Sequence, residues 1–161
     1  MPQRGSSSRL SDDELAAWQG LLRANVQLRR ELDADLRRSH QLSSSDYDVL
    51  IQLGLSPGKS LRMSELADEV LMSHNGLTRI VTQLQSTGLV TRERAPQDGR
   101  AVHVSLTAHG QEVLRAANRT HLAQLRALFL DRLTDEQLHQ LRAIWDAVDP
   151  TLVAGRPRRS G

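Results

Sequence analysis

The stretch from Leu61 to Gly110 constrains the chain most, because its apolar spacing changes from a helical period to a strand period within one short run. It reads LRMSELADEVLMSHNGLTRIVTQLQSTGLVTRERAPQDGRAVHVSLTAHG. Ser64 is placed to cap a helix that buries Leu66, Ala67 and Val70. Leu71 and Met72 turn the chain. Ser73 then caps a second helix, with Met72 and Leu77 positioned as a hydrophobic staple across the cap. In that helix Leu77, Ile80, Val81 and Leu84 recur at helical spacing and form a buried stripe. The opposite face carries Asn75, Arg79, Thr82 and Ser86, flanked by Gly76, Thr78 and Gln83. Small side chains permit close approach to a duplex, and Arg and Asn can each grip a base edge with two hydrogen bonds. Gly88 stops the helix.

Beyond Gly88 the period becomes two. Thr91, Arg92, Glu93 and Arg94 follow Leu89 and Val90, and Val102, Val104 and Leu106 alternate on the return, which leaves His103 facing outward. Pro96 and the pair Asp98-Gly99 mark the turn, with Arg100 at its root. A cation on such a hairpin can hold phosphates or enter a narrow minor groove. Thr107 caps the next helix. Two short helices with a polar outer face, then a charged hairpin, spell a winged helix-turn-helix. The residues placed to meet DNA are Ser73, Asn75, Gly76, Thr78, Arg79, Thr82, Arg94, Asp98 and Arg100.

The flanks read as longer helices. Leu10 to Leu15 is a capping box inside a staple, opening a helix with Leu15, Trp18, Leu22, Val26, Leu32 and Leu36 on its apolar positions. Leu42 to Tyr47 repeats the signal for a helix that ends before Pro57-Gly58. A helix after Thr107 carries Val113, Leu114, Ala117, Leu125 and Leu128. Leu133 to Leu138 is a third box, opening a last helix with Leu138, Leu141, Ile144 and Val148.

Several of these segments resemble the MarR-type winged-helix transcriptional regulators. That family's wing signature is D-x-R, a strand, then L-T-x-x-G. Here it stands as Asp98-Gly99-Arg100 and Leu106-Thr107-Ala108-His109-Gly110, preceded by SELADEV, SHNGLTRIV and GLV. The resemblance covers about residues 10–150. Gly99 departs from the second Arg of many members, which weakens the grip expected of the wing tip. The fold implied is mainly α with a small β-hairpin wing: one domain over 10–150, with a winged helix-turn-helix at 43–106 and dimerisation helices at 10–40 and 107–150. Residues 1–9 and 154–161, rich in Ser, Gly, Pro and Arg, read as disordered tails. The terminal helices carry more apolar surface than one small winged domain covers. The resemblance assigns Leu15, Trp18, Leu22, Leu138, Leu141 and Ile144 to a homodimer interface. Trp18 reads either as an aromatic of that interface or as part of an effector pocket. That pocket would be lined by Trp18, Leu22, Tyr47, Asp48 and Leu50, where the family places one, and its ligand would be a small aromatic or phenolic molecule.

Composition bounds the alternatives. The length of 161 residues suits one domain. The absence of cysteine excludes disulfides and thiol-based sensing. No apolar run is long enough to span a membrane and no signal peptide is evident, so the cytoplasm is the expected location. The net charge of +2 is weak support for nucleic-acid binding, but its distribution is informative. Arg79, Arg92, Arg94 and Arg100 outnumber Glu93 and Asp98 in the winged segment, whereas the last helix is acidic. The histidines are scattered without metal-ligand spacing, so no metal or cofactor is expected. No nucleophile elbow, phosphate loop, paired catalytic carboxylates or dinucleotide fingerprint points to an enzyme. The reading is a ligand-responsive, homodimeric, sequence-specific repressor on a palindromic operator. The alternative is a winged-helix dimerisation or assembly module without specific DNA binding.

Overall fold

The computed structural model describes residues 9–95 and 98–151, with the backbone alone for Ala95 and for residues 98–100. The elements run α1 (Asp12–His40), α2 (Ser44–Leu55), β1 (Ser60–Arg62), α3 (Met63–Glu69), α4 (His74–Ser86), β2 (Val90–Ala95), β3 (Asp98–Leu106), α5 (Ala108–Leu128) and α6 (Asp135–Val148). The mainly helical class with a small sheet agrees with the sequence reading. The chain divides into two compact units, with the boundary between His121 and Leu122. The residues expected to form tails, other than Arg9, lie outside the described residues.

Three of the expected caps close as capping boxes. Ser11 and Glu14 exchange side-chain to backbone bonds at the start of α1 (2.8 and 3.3 Å), Ser43 and Asp46 do so at α2 (2.8 and 3.1 Å), and Thr134 and Gln137 at α6 (2.9 and 3.2 Å). Each satisfies donors that a helix start would otherwise leave open. The start of α2 is also tied to α1, because Asp33 Oδ1 accepts from the Ser44 backbone N–H at 2.7 Å. That bond, more than the adjacent Arg37, holds the Asp33 carboxyl below its ordinary range.

The cap expected at Ser64 falls elsewhere. Helix α3 begins at Met63 with Arg62 at its cap, and Glu65 accepts from the Arg62 backbone N–H at 3.0 Å. The cause is β1, a strand that three residues cannot announce by alternation. Its pairing holds Ser60–Arg62 extended against β3, so Arg62 is the last extended residue and Met63 turns into the core.

The sheet is antiparallel in the order β1-β3-β2. Leu61, Val104 and Arg92 share one row across it, and Arg62, His103 and Glu93 the next. His103 is therefore half-buried between two neighbours rather than exposed, as two strands alone would have left it. Val104 and Leu106 face a core that includes Leu36, Val49, Leu50, Leu53, Leu66, Leu77, Val81 and Leu84.

The two junctions around the hairpin have explicit causes. Helix α4 ends in a Schellman arrangement: Leu89 N–H donates to the Leu84 carbonyl (2.9 Å) and Gly88 N–H to that of Gln85 (3.0 Å), with Gly88 at φ +73°. Thr107 then joins the ends of the wing. Its hydroxyl donates to the Gly88 carbonyl (2.7 Å) and accepts from Gly110 N–H (2.9 Å), which caps α5. A Cβ on Gly110 would stand 2.0 Å from the Leu89 carbonyl oxygen, so only glycine lets α5 start there. This accounts physically for L-T-x-x-G.

Candidate nucleic-acid interface

Helix α4 presents the polar face that the sequence placed there. Leu77, Val81 and Leu84 are buried and Ile80 packs against them, which turns Asn75, Arg79, Thr82 and Ser86 outward, all exposed. Ser73 caps the helix by accepting from Gly76 N–H at 3.2 Å, and a Cβ on Gly76 would stand 3.2 Å from the same hydroxyl. Arg79 has no carboxylate partner among the described residues. The hydroxyls behave differently from a free polar face. Thr78 Oγ1 donates to the His74 carbonyl (2.9 Å), Thr82 Oγ1 to that of Thr78 (2.8 Å), and Ser86 Oγ to that of Gln83 (2.7 Å). Their protons are spent on the helix itself.

On β2, Val90, Arg92 and Arg94 share one strand face, set by their pairing with Leu106, Val104 and Val102. Arg94 is exposed and Arg92 is half-buried. The expectations for the Asp98 and Arg100 side chains lie outside the described residues. Between the starts of α3 and α4 and the base of the hairpin lies an open recess of about 310 Å³. It is lined by Arg62, Met63, Ser64, His74, Arg92, Ala101 and Val102. Arg62, His74 and Arg92 were not singled out from sequence. The available signal was alternation, which puts Arg92 on the same face as Arg94.

The residues assigned to a dimer interface divide by exposure. Leu15, Trp18 and Leu22 on α1 are exposed at 41%, 54% and 46%, and Ile144 on α6 at 54%. Leu138 and Leu141 are half-buried. Of the residues assigned to an effector pocket, Leu50 is wholly inside the core and Tyr47 is buried. The Tyr47 hydroxyl donates to Asn118 Oδ1 at 2.7 Å, and its ring stacks on His121 with centroids 4.6 Å apart. Asp48 is half-buried beside them. Burial raises its carboxyl, and the charges of Arg29 and His121 oppose that rise. The His121 imidazole is pushed down by burial, against the pull of Asp48, and its Nδ1 is buried without a hydrogen-bond partner. Sequence reasoning missed His121, which resembled any other dispersed histidine. Among the described residues no group of three or more His, Asp and Glu side chains is placed to hold a metal ion, and no helix is long and apolar enough to cross a membrane.

Comparison with known proteins places this geometry. The MarR family model matches residues 40–101. AbsC, a MarR family transcriptional regulator from Streptomyces coelicolor, is 33% identical and superposes with a TM-score of 0.84 over 91% of this chain and 98% of its own. A second MarR family transcriptional regulator from Streptomyces coelicolor, solved in complex with DNA, is also 33% identical, with a TM-score of 0.84 over 96% of this chain and 95% of its own. An uncharacterized HTH-type transcriptional regulator from Bacillus cereus is 30% identical over 124 residues, covering 77% of this chain and 80% of that protein. The chain therefore belongs to the MarR family of transcriptional regulators.

Proposed function

We propose that the protein is a homodimeric, sequence-specific DNA-binding repressor whose grip on a palindromic operator is released by a small aromatic or phenolic effector. The observation that carries the DNA reading is the outer face of α4. Asn75 and Arg79 are exposed there beside small side chains, and Arg79 has no carboxylate partner among the described residues. A guanidinium left unpaired on a rigid helix suits the O6 and N7 acceptors of guanine, and the Asn75 amide suits adenine. The DNA complex of the Streptomyces coelicolor relative supports the same use of the fold. Two copies related by a two-fold axis would present two such helices to successive major grooves, and bound protein would then exclude polymerase from a promoter. The effector would act at the pocket expected from Trp18, Leu22, Tyr47, Asp48 and Leu50, of which Trp18 and Leu22 are exposed in the single chain and Tyr47 and Leu50 are buried.

Selection of tight-binding duplexes from a random pool, with the full chain, tests this. The expected result is an inverted repeat with half-sites one helical turn apart. Arg79→Ala should then cost about 1–3 kcal/mol per half-site contact and relax the preference at one base pair. Recovery of no consensus, or equal affinity of Arg79→Ala for every selected duplex, would overturn the proposal.

A further inference from the structure

The contact of α2 with α5 holds a histidine that has nowhere to put a second proton. His121 stacks on Tyr47 with ring centroids 4.6 Å apart, and its Nδ1 is buried without a hydrogen-bond partner. A neutral imidazole with its proton on Nε2 tolerates this, because a bare ring nitrogen needs no acceptor. An imidazolium donates from both nitrogens, and its Nδ1–H would be buried unpaired. Burial accordingly pushes His121 below its ordinary value, and the charge of Asp48 on α2 only partly offsets that. Arg29 of α1 acts in turn on Asp48. Burial raises the Tyr47 hydroxyl, so it stays neutral, and it donates to Asn118 Oδ1 at 2.7 Å. Along α5 itself the residues three and four positions away are Ala117, Asn118, Gln124 and Leu125, none of them charged. The place of His121 in the fold gives its protonation a consequence. The other end of α5 is fixed to the junction of α4 and the wing. Thr107 Oγ1 donates to the Gly88 carbonyl at 2.7 Å and accepts from Gly110 N–H at 2.9 Å, and Gly110 lies directly against the Leu89 carbonyl. Between the two ends Leu114 fills a notch at Gly54 of α2, where a Cβ would stand 2.7 Å from its Cδ2. His121 is about three turns from Gly110, and the division of the chain into two compact units falls immediately after it, inside α5.

We propose that His121 is an acid-sensing switch: its protonation breaks the stack on Tyr47, frees α5 from α2, and lowers DNA affinity by shifting the junction of α4 and the wing that the start of α5 holds. This rests on the DNA-binding reading above and adds a regulatory input to it. A helix seated at Gly54 and tied at Gly110 moves as a rod, so release at His121 is felt at Leu89, just past the end of α4. DNA affinity is full while His121 is neutral and falls as pH drops through its depressed value. The coupling is reciprocal: DNA that favours the stacked arrangement must make His121 harder to protonate.

The test measures binding of the full chain to a selected duplex from pH 7.5 to 5.0 at constant ionic strength, for wild type, His121→Phe, His121→Gln and Asp48→Asn. Nuclear magnetic resonance follows the His121 ring through the same range in free and DNA-bound protein. Thermal unfolding at each pH keeps the comparison on folded protein. The affinity of wild type relative to His121→Phe should fall on acidification by up to about tenfold per pH unit for each protomer, the limit set by one linked proton. Taking the ratio cancels the titration of the other histidines, including His74 on α4. His121→Gln also lacks the titration and serves in the same way where the phenylalanine fails to fold. Asp48→Asn removes the charge that favours the imidazolium, so the fall should begin at lower pH, a shift that a purely structural role for either residue would not produce. The His121 ring should titrate at lower pH in the DNA complex than in the free protein. Parallel pH dependence in wild type and the His121 variants, or a ring that titrates at one pH with and without DNA, overturns the switch and leaves the DNA-binding reading standing. A wild-type chain that selects no duplex at pH 7.5 removes that reading, and the switch with it.

Discussion

Thr78 and Thr82 show how hydrogen-bond accounting narrows what a side chain can do. Each hydroxyl has one proton, and each gives it to a carbonyl one turn back along α4. Phosphate oxygens offer only acceptors, so in these rotamers neither threonine donates to the DNA backbone. The methyl groups carry no such commitment and are free to pack on a thymine methyl. Thr82→Val keeps the branched shape and deletes only the hydroxyl, so operator affinity should stay within a few-fold of wild type. Thr82→Ser keeps the hydroxyl and deletes the methyl, and should cost about 0.8 kcal/mol if that methyl is buried against DNA. Titration of both variants against the same selected duplex decides the matter. Loss in Thr82→Val with retention in Thr82→Ser would mean that the hydroxyl turns outward to the phosphates on binding.

At the scale of elements, the contact of α2 with α5 carries a pH dependence. Tyr47 and Asp48 on α2 meet Asn118 and His121 on α5, with Arg29 of α1 acting on Asp48. Burial holds the His121 imidazole below its ordinary value of 6.5, so below that value the unfolded chain binds a proton that the folded chain resists. The stabilising contribution is present above pH 6.5 and is lost as pH falls through the depressed value. Asp48 is raised above 3.8, so its contribution runs the other way: it is present below that value and lost as pH rises through the raised one. His121→Phe keeps a ring against Tyr47 and removes both the titration and the unpartnered Nδ1. Melting temperature followed from pH 7.5 to 5.5 should decline less in this variant than in wild type. Equal declines would place the proton elsewhere. None of this was legible in the sequence, because pairing Tyr47 with His121 depends on how α2 and α5 pack. The helix starts at Ser11, Ser43, Ser73 and Thr134 were legible, since each cap is a local contact between residues three apart. The polar face of α4 was legible for the same reason, because its period is set within one helix. β1 was not, and its absence from the reading moved the start of α3 and misplaced His103. The recess escaped because Arg62, His74 and Arg92 come from three elements and share no local pattern.

For the whole molecule, the exposed face of α1 is what the proposed homodimer would cover. Leu15, Trp18, Leu21, Leu22 and Val26 lie uncovered on one helix, and α6 leaves Ile144 and Val148 uncovered as well. Monomeric proteins rarely leave apolar residues in such runs, since hiding each from water is worth about 1.5–3 kcal/mol. A second copy meeting the same faces about a two-fold axis would cover them and would hold two α4 helices at a fixed separation. Half-sites one turn apart require that separation to be near 34 Å. An effector bound beside the interface would then shift the balance between separations only by its difference in affinity for them. Leu22→Asp tests this arrangement without threatening the isolated fold, because Leu22 is already 46% exposed in the single chain. In a dimer the new carboxylates would be buried unpaired near the axis, which disfavours association strongly. Sedimentation should show a folded monomer, and its affinity for a two-half-site operator should fall toward that for a single half-site although Leu22 touches no DNA. A Leu22→Asp chain that still sediments as a dimer, or a monomer that binds the full operator as tightly as wild type, would mean that the face of α1 serves another purpose.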